Sequence, residues 1–108
     1  MHVFKKKTFS EACVKYPVKA ASILALYKVL AMSVATTPQE LRQTLGTLDR
    51  FTPRSGWWVI DVGGNELRLI AAIDFAKQRI YVKHLFNHAA YDKANTWYRS
   101  PHNQGVMP

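Results

Sequence analysis

The stretch that decides the fold is residues 57–91, which read WWVIDVGGNELRLIAAIDFAKQRIYVKHLFNHAAY. Two apolar runs flank Gly63-Gly64-Asn65, and a third apolar run follows Ala76-Lys77-Gln78. Glycine beside asparagine permits the positive φ angles of a tight turn, so the pattern predicts a three-stranded antiparallel meander. His88 and Tyr91 follow the last run, three residues apart, and are expected on the same side of a short helix or turn.

Helices are expected ahead of the meander. Residues 23–34 contain an apolar stripe at helical spacing. The stripe consists of Ile23, Leu26, Tyr27, Leu30 and Val34. Thr8 with Glu11, and Thr37 with Glu40, have the spacing of capping boxes and predict two more helix starts. The chain is therefore predicted to be an α+β domain, with N-terminal helices packed on one face of a small, twisted, mostly antiparallel sheet.

Length and composition favour one modest domain. The chain has 108 residues and is 48% hydrophobic, which suits a single core. We expect residues 1–98 to form this domain and residues 99–108, which lack periodicity, to be a flexible C-terminal tail. The single cysteine, Cys13, excludes an internal disulfide. No segment resembles a secretory signal or a membrane span, so we expect a cytoplasmic protein without a membrane partner.

The charge balance favours an anionic partner. Fifteen Lys and Arg residues against seven Asp and Glu give a net charge of +8, which suits nucleic acid, an acidic protein or a membrane surface. The basic residues are spread along the chain, with one short run at residues 5–7. This distribution indicates a charged folded surface.

Strand alternation places two cations on one face of the predicted sheet. Leu69 suits the core, which puts Arg68 on the opposite face, and Val82 suits the core on the last strand, which puts Lys83 opposite. The same alternation predicts that His84 lies on the core side and has a structural role. It also predicts that one of the adjacent tryptophans at 57 and 58 is buried and the other exposed.

These residues could cleave RNA without a metal. The 2′-hydroxyl attacks the adjacent phosphate, a base removes its proton, an acid protonates the leaving 5′-oxygen, and cations stabilise the phosphate charge. Arg68 can donate to two phosphate oxygens, and Lys83 can add a second charge. His88 can act as base or acid, and Tyr91 can donate a hydrogen bond or stack on a base. Alternatively, Arg68 and Lys83 are surface charges, and His88 and Tyr91 are structural.

No zinc, EF-hand, P-loop or nucleophile-elbow motif occurs, so neither a metal nor another cofactor is expected. From the residues alone, a non-enzymatic RNA-binding module and a protein-interaction domain for an acidic partner stay open as alternatives to an enzyme. RNA affinity that falls with salt would separate these two binding modules.

The chain resembles the HigB-like toxins of type II toxin–antitoxin systems, within the RelE-like mRNA interferase superfamily. The resemblance is carried by WWVIDVGGNELR at 57–68, YVKHLF at 81–86 and NHAAYD at 87–92, and GGNELR is its most specific part. It extends from about Val3 to Trp97 and falls directly on Arg68. The family places a functional histidine and tyrosine in the third segment, which implies roles for His88 and Tyr91.

The resemblance also implies a fold, an activity and partners. It implies a RelE-like α+β fold and an endoribonuclease that cleaves mRNA on the ribosome. It further implies neutralisation by a helix-turn-helix antitoxin of the HigA-like type, with operator DNA contacted only through that antitoxin.

Overall fold

The computed structural model describes all residues, 1–108, and contains one five-stranded sheet with helices on both faces. In chain order the elements are β1 (His2–Phe4), α1 (Lys6–Lys15), a 3-10 turn (Pro17–Lys19), α2 (Ala20–Met32), α3 (Pro38–Thr44), β2 (Asp49–Arg50), β3 (Trp57–Val62), β4 (Leu67–Asp74), β5 (Arg79–Asn87) and α4 (His88–Arg99). The spatial strand order is β1-β5-β4-β3-β2. Strand β1 runs parallel to β5, and all other pairs are antiparallel. The predicted α+β class is confirmed.

The predicted meander is also confirmed, as β3, β4 and β5. Its first turn holds Gly63, Gly64 and Asn65 at φ angles of 63°, 78° and 120°, a region that L residues with side chains rarely adopt. Two glycines and an asparagine therefore allow the tight reversal between β3 and β4. The second turn ends at Gln78, which has φ 57°.

One of the two predicted helix caps is confirmed and the other is wrong. The Thr37 hydroxyl accepts a hydrogen bond from the Glu40 backbone N–H at 3.2 Å and caps α3. Thr8 caps nothing, because α1 begins two residues earlier. The chain leaves β1 and reverses at Lys5, whose φ of 67° places it at the N-cap, and the Lys5 carbonyl accepts from the Thr8 N–H.

The apolar stripe of α2 packs on the sheet as predicted, except at its end. Ile23, Leu26 and Leu30 are buried. Val34 was wrongly included, since α2 ends at Met32 and the Val34 side chain is 81% exposed beyond it.

Two hydrophobic clusters lie on opposite faces of the sheet. The larger cluster lies under α1, α2 and α3 and includes Leu69, Ala71, Ile80 and Val82 from the central strands. The smaller cluster joins α4 to the other face. It consists of Phe51, Val59, Ile70, Phe86, Ala94 and Tyr98. The sequence predicted only a short helix or turn at the start of α4, whereas α4 has 12 residues and covers part of the second face.

A β-bulge changes the predicted alternation on β5. Ile70 of β4 pairs with His84, whereas the adjacent Ala71 pairs with Val82, so Lys83 is an extra residue. A bulge shifts every later side chain to the opposite face. The prediction for His84 is therefore wrong: it lies on the α4 side. Leu85, which uninterrupted alternation from Val82 would place on the α4 side, is instead buried in the larger cluster.

The last nine residues make several specific contacts with the rest of the chain. The Met107 backbone N–H donates to the Tyr98 hydroxyl at 2.9 Å, and the Asn103 side chain donates to the Trp97 carbonyl at 2.9 Å. Arg54 donates to the Asn103 carbonyl at 2.9 Å. These bonds hold residues 100–108 beside the C-terminal end of α4.

None of the helices combines the length and the apolar character that crossing a bilayer requires.

Candidate active site

Arg68 stands at the centre of a polar cluster at the end of β4 that adjoins the first meander turn. Its register partner on β3 is Asp61, and the Asp61 Oδ1 lies 3.3 Å from the Arg68 Nε. The Arg68 Nη2 donates to the Asn65 Oδ1 at 3.2 Å. The turn that requires Gly63 and Gly64 thus also positions Asn65 to hold the guanidinium.

The guanidinium is held without using all its donors. The Arg68 side chain is 22% exposed, and its Nε is buried at ion-pair distance from Asp61 but without hydrogen-bond geometry. The Nη1 group makes no hydrogen bond within the protein, and both hydrogen bonds of the guanidinium come from Nη2. Nη1 can therefore donate to an oxygen of an anionic ligand.

His88 faces Arg68 from the first residue of α4. The Asn87 side chain caps this helix by accepting from the Ala90 N–H at 2.9 Å, which fixes where the helix starts. The His88 Nε2 lies 3.3 Å from the Arg68 Nη2. Because a guanidinium only donates, Nε2 must be the acceptor, and a neutral imidazole then carries its proton on Nδ1. Nδ1 lies 3.4 Å from the Asp92 Oδ2, one helical turn away, which favours this tautomer.

Tyr91 lies beneath the Arg68 guanidinium. The guanidinium carbon is 4.5 Å from the centre of the Tyr91 ring, within the range of a cation–π contact. The ring also packs edge-on against Phe86 at 6.4 Å and against His88 at 6.4 Å. The structure therefore brings together three of the four residues singled out from the sequence, namely Arg68, His88 and Tyr91.

The fourth residue, Lys83, lies on the predicted face but contacts other groups. Its Nζ lies 5.3 Å from the centre of the Trp57 ring. The register partner of Arg68 on β5 is Phe86, which lies three residues beyond Lys83. Three residues correspond to about 10 Å along a strand. Trp58 is 5% exposed in the larger cluster, and Trp57 is half-buried on the α4 side, so the prediction of one buried tryptophan is confirmed.

His84 forms a second polar contact on this face that sequence reasoning missed. Its Nε2 lies 2.7 Å from the Tyr98 hydroxyl, and its ring stacks on Phe86 with centroids 5.1 Å apart. Burial lowers the pKa of His84 below 6.5, and the positive charges of Lys5 and Lys83 lower it further. Burial also raises the pKa of Tyr98 above 10.0. A neutral His84 thus docks α4 on the sheet, and only the bulge, which alternation does not reveal, places it there.

The structure brings no three His, Cys, Asp or Glu side chains close enough together to hold a metal ion. The polar cluster consists of one guanidinium, one imidazole, one phenol ring and the groups that orient them. Such a set can bind a phosphate and exchange a proton with a group beside it.

Comparison with known proteins assigns the chain to a family. Residues 19–94 match the model of the HigB toxin family, described as the RelE-like toxic component of a toxin–antitoxin system. This match covers most of the chain. The chain belongs to the HigB toxin family. The predicted resemblance and the RelE-like α+β fold are thereby confirmed.

Named relatives of this toxin agree with the assignment. The mRNA interferase HigB of Escherichia coli O6:H1 (strain CFT073) is 46% identical over 99 residues, which cover 92% of this chain and 96% of the relative. The mRNA interferase toxin HigB of Escherichia coli K12 is 33% identical over 92 residues, which cover 85% and 88% of the two chains. The aligned segment thus includes most of the toxin's length in both cases.

Proposed function

We propose that this toxin is an endoribonuclease that cleaves mRNA on the ribosome by metal-independent attack of the 2′-hydroxyl on the adjacent phosphate. The observation that carries the proposal is the contact of the Arg68 guanidinium with the His88 imidazole at 3.3 Å on the α4 side of the sheet. A fixed cation and a proton-transfer group at one point are two of the components that this reaction needs. The names of the two relatives, both mRNA interferases, support the choice of substrate.

In this mechanism Arg68 binds the reacting phosphate. Its free Nη1 donates to a non-bridging oxygen, and the charge stabilises the pentacovalent transition state. Asp61 and Asn65 hold the guanidinium in place, so little rearrangement is needed when the phosphate arrives. Tyr91 supports the guanidinium from below through its ring.

His88 transfers the proton. With its proton on Nδ1, His88 carries one lone pair on Nε2, which accepts from the Arg68 Nη2 in the free protein. When Arg68 turns this donor to the phosphate, the Nε2 lone pair becomes available to remove the proton of the 2′-hydroxyl. The 2′-oxygen then forms a bond to phosphorus as the bond from phosphorus to the 5′-oxygen breaks. The leaving oxygen takes up a proton from water, and His88 returns the proton that it removed to the solvent. The products are a 2′,3′-cyclic phosphate and a 5′-hydroxyl end. Lys83 contacts the RNA backbone beside the reacting phosphate, at a distance from Arg68 along the sheet.

We further propose that a helix-turn-helix antitoxin of the HigA-like type neutralises this cytoplasmic toxin, and that operator DNA is contacted only through the antitoxin. Membership of a toxin–antitoxin family and the net charge of +8 support a protein partner with acidic surface. Residues 1–98 would act as the single toxin domain, with the short segment that follows as a C-terminal tail.

Growth arrest tests the proposal most simply. Expression of the chain should stop growth, and expression of the Arg68→Ala variant at the same level should not. Arrest by Arg68→Ala equal to that by the wild-type chain would instead favour a non-enzymatic RNA-binding or protein-interaction domain.

A further inference from the structure

Part of the α4-side face of the sheet lies away from the Arg68 cluster and carries a row of aromatic side chains. Register places Phe4 of β1 beside Tyr81 of β5, Tyr81 beside Ala72 of β4, and Ala72 beside Trp57 of β3. All four residues alternate with buried residues of the larger cluster and so share the opposite face. Each is half-buried, so each also presents surface to solvent.

The rings at one end of this row are stacked in parallel. The His2 and Phe4 rings have centroids 4.3 Å apart and planes inclined by 12°, and the Phe4 and Tyr81 rings are 4.9 Å apart and inclined by 10°. One strand spacing thus accommodates one flat ring stacked on the next. Ala72 occupies the following position in the row, between Tyr81 and Trp57, and its methyl group leaves a position without a ring, the slot, on the surface of the sheet.

One lysine lies at this slot, and a second follows β1, two strands away. The Lys83 Nζ lies over the Trp57 ring, and Lys5 follows Phe4 directly and is exposed. Both lysines lie close enough to His84 for their charges to lower its pKa. Asp74 lies on the same face, two residues beyond Ala72, but its register partner is Arg79. The slot therefore combines flat apolar walls with an excess of positive charge.

We propose that the slot between Tyr81 and Trp57 binds a base of single-stranded RNA, and that Lys83 and Lys5 contact its phosphates. Aromatic rings stack on any base, and lysines neutralise the backbone in sequence-tolerant RNA sites. A base that enters replaces the lysine ammonium on the Trp57 ring, and the flexible lysine stem lets that charge move to a phosphate. The combination of a ring-free position in an aromatic row with a lysine beside it favours a nucleobase over a protein side chain.

This proposal rests on the proposed function and extends it. Ala72 lies four residues from Arg68 along β4, which corresponds to about 13 Å. The slot would therefore hold a nucleotide that flanks the reacting phosphate. It would increase the affinity for a single strand without taking part in the chemistry.

Two substitutions at one position test the slot. Ala72→Ile fills it with a residue that β-strands favour, and Ala72→Ser leaves it open. Ala21→Ile makes the same change on the exposed surface of α2, on the other face of the sheet, and serves as the control. The probe is a short, fluorescein-labelled, single-stranded RNA with 2′-O-methyl groups, which 2′-hydroxyl chemistry cannot cleave. Binding is measured by anisotropy, and thermal unfolding verifies that each variant is folded.

We expect Ala72→Ile to weaken binding by roughly tenfold, within the range that stacking of one base contributes. Ala72→Ser and Ala21→Ile should bind like the wild-type chain. Tyr81→Leu removes one wall of the slot and should weaken binding in the same way, which keeps the test informative if Ala72→Ile does not fold. Lys83→Gln should lower the slope of log affinity against log salt by about one.

Equal affinity of the Ala72→Ile, Ala72→Ser and wild-type chains would overturn the proposal, as would equally strong binding of a double-stranded probe. The proposal would also be overturned if Ala72→Ile weakened the binding of the antitoxin but not the binding of the RNA probe. The outcome of this binding test does not depend on the proposed function, because the probe cannot be cleaved. Weaker binding by Ala72→Ile supports the slot even if ribosomes show no mRNA cleavage, and unchanged binding refutes the slot even if they do.

Discussion

Asp61 and Arg68 are direct register partners on β3 and β4, and the Asp61 Oδ1 lies 3.3 Å from the Arg68 Nε. The pair is mostly shielded from solvent, with side chains 28% and 22% exposed. This carboxylate fixes the guanidinium from the side of β3, while the Nη1 group stays free. The orientation of Arg68 is therefore a property of the sheet.

The first prediction concerns the charge and shape of Arg68. Arg68→Ala should lower the rate of mRNA cleavage roughly tenfold to a thousandfold, as for the loss of charge stabilisation in other enzymes. Arg68→Lys should restore only part of the rate, since an ammonium cannot donate from a planar fork. The measurement is the cleavage rate on programmed ribosomes. A wild-type rate for Arg68→Ala would remove Arg68 from the site.

The second prediction concerns the Tyr91 ring. The ring contacts the Arg68 guanidinium, and the Tyr91 hydroxyl makes no hydrogen bond within the protein. Tyr91→Phe should therefore keep most of the cleavage rate, and Tyr91→Ala should lose clearly more of it. A severe loss in Tyr91→Phe would show that the hydroxyl acts on the RNA directly.

The third prediction separates proton transfer from binding at His88. His88→Gln keeps a polar side chain of similar reach but cannot exchange a proton near neutral pH. It should slow single-turnover cleavage at saturating enzyme and leave ribosome affinity largely unchanged. If His88→Gln cleaves at the wild-type rate, the proton carrier must be sought at His84 or Lys83.

The fourth prediction links the stability of the fold to the protonation of His84. Burial lowers the pKa of His84 in the folded state below the ordinary value of 6.5, so the unfolded chain binds the proton more tightly. The stability that neutral, buried His84 contributes is therefore complete above pH 6.5. It is lost as the pH falls from 6.5 towards the lowered folded-state pKa of His84. Thermal unfolding of the wild-type chain should show this decline.

Two variants verify the origin of that decline. His84→Gln should show a smaller loss of stability over the same pH interval, because the titrating group is gone. Tyr98→Phe removes the hydroxyl that contacts His84 and Met107, and should cost about 1 kcal/mol of unfolding free energy at neutral pH. An unchanged pH dependence in His84→Gln would assign the decline to another group.

The sequence predicted those parts of the fold and site that follow from regular patterns. Alternation on β4 placed Leu69 in the core and Arg68 on the opposite face, and the glycine turn fixed the pairing of β3 with β4. The spacing of His88 and Tyr91 predicted one surface for both, which the start of α4 provides. These features depend on local periodicity, which is visible in a single chain.

The features that were missed depend on contacts between distant segments. The bulge at Lys83 inserts one residue into β5 and thereby exchanges the faces of His84 and Leu85, which a count of alternating residues does not reveal. Strand β2 has two residues and is defined by its pairing with β3. The start of α1 follows from the reversal at Lys5, which displaced the cap expected at Thr8.

The chemical nature of the cleaved ends tests the central claim most directly. Wild-type toxin is added to ribosomes programmed with a defined mRNA, and the new RNA ends are characterised. Attack by the 2′-hydroxyl predicts a 2′,3′-cyclic phosphate on the upstream fragment and a 5′-hydroxyl on the downstream fragment. An upstream fragment that ends in a free 3′-hydroxyl, with a 5′-phosphate downstream, would contradict the mechanism.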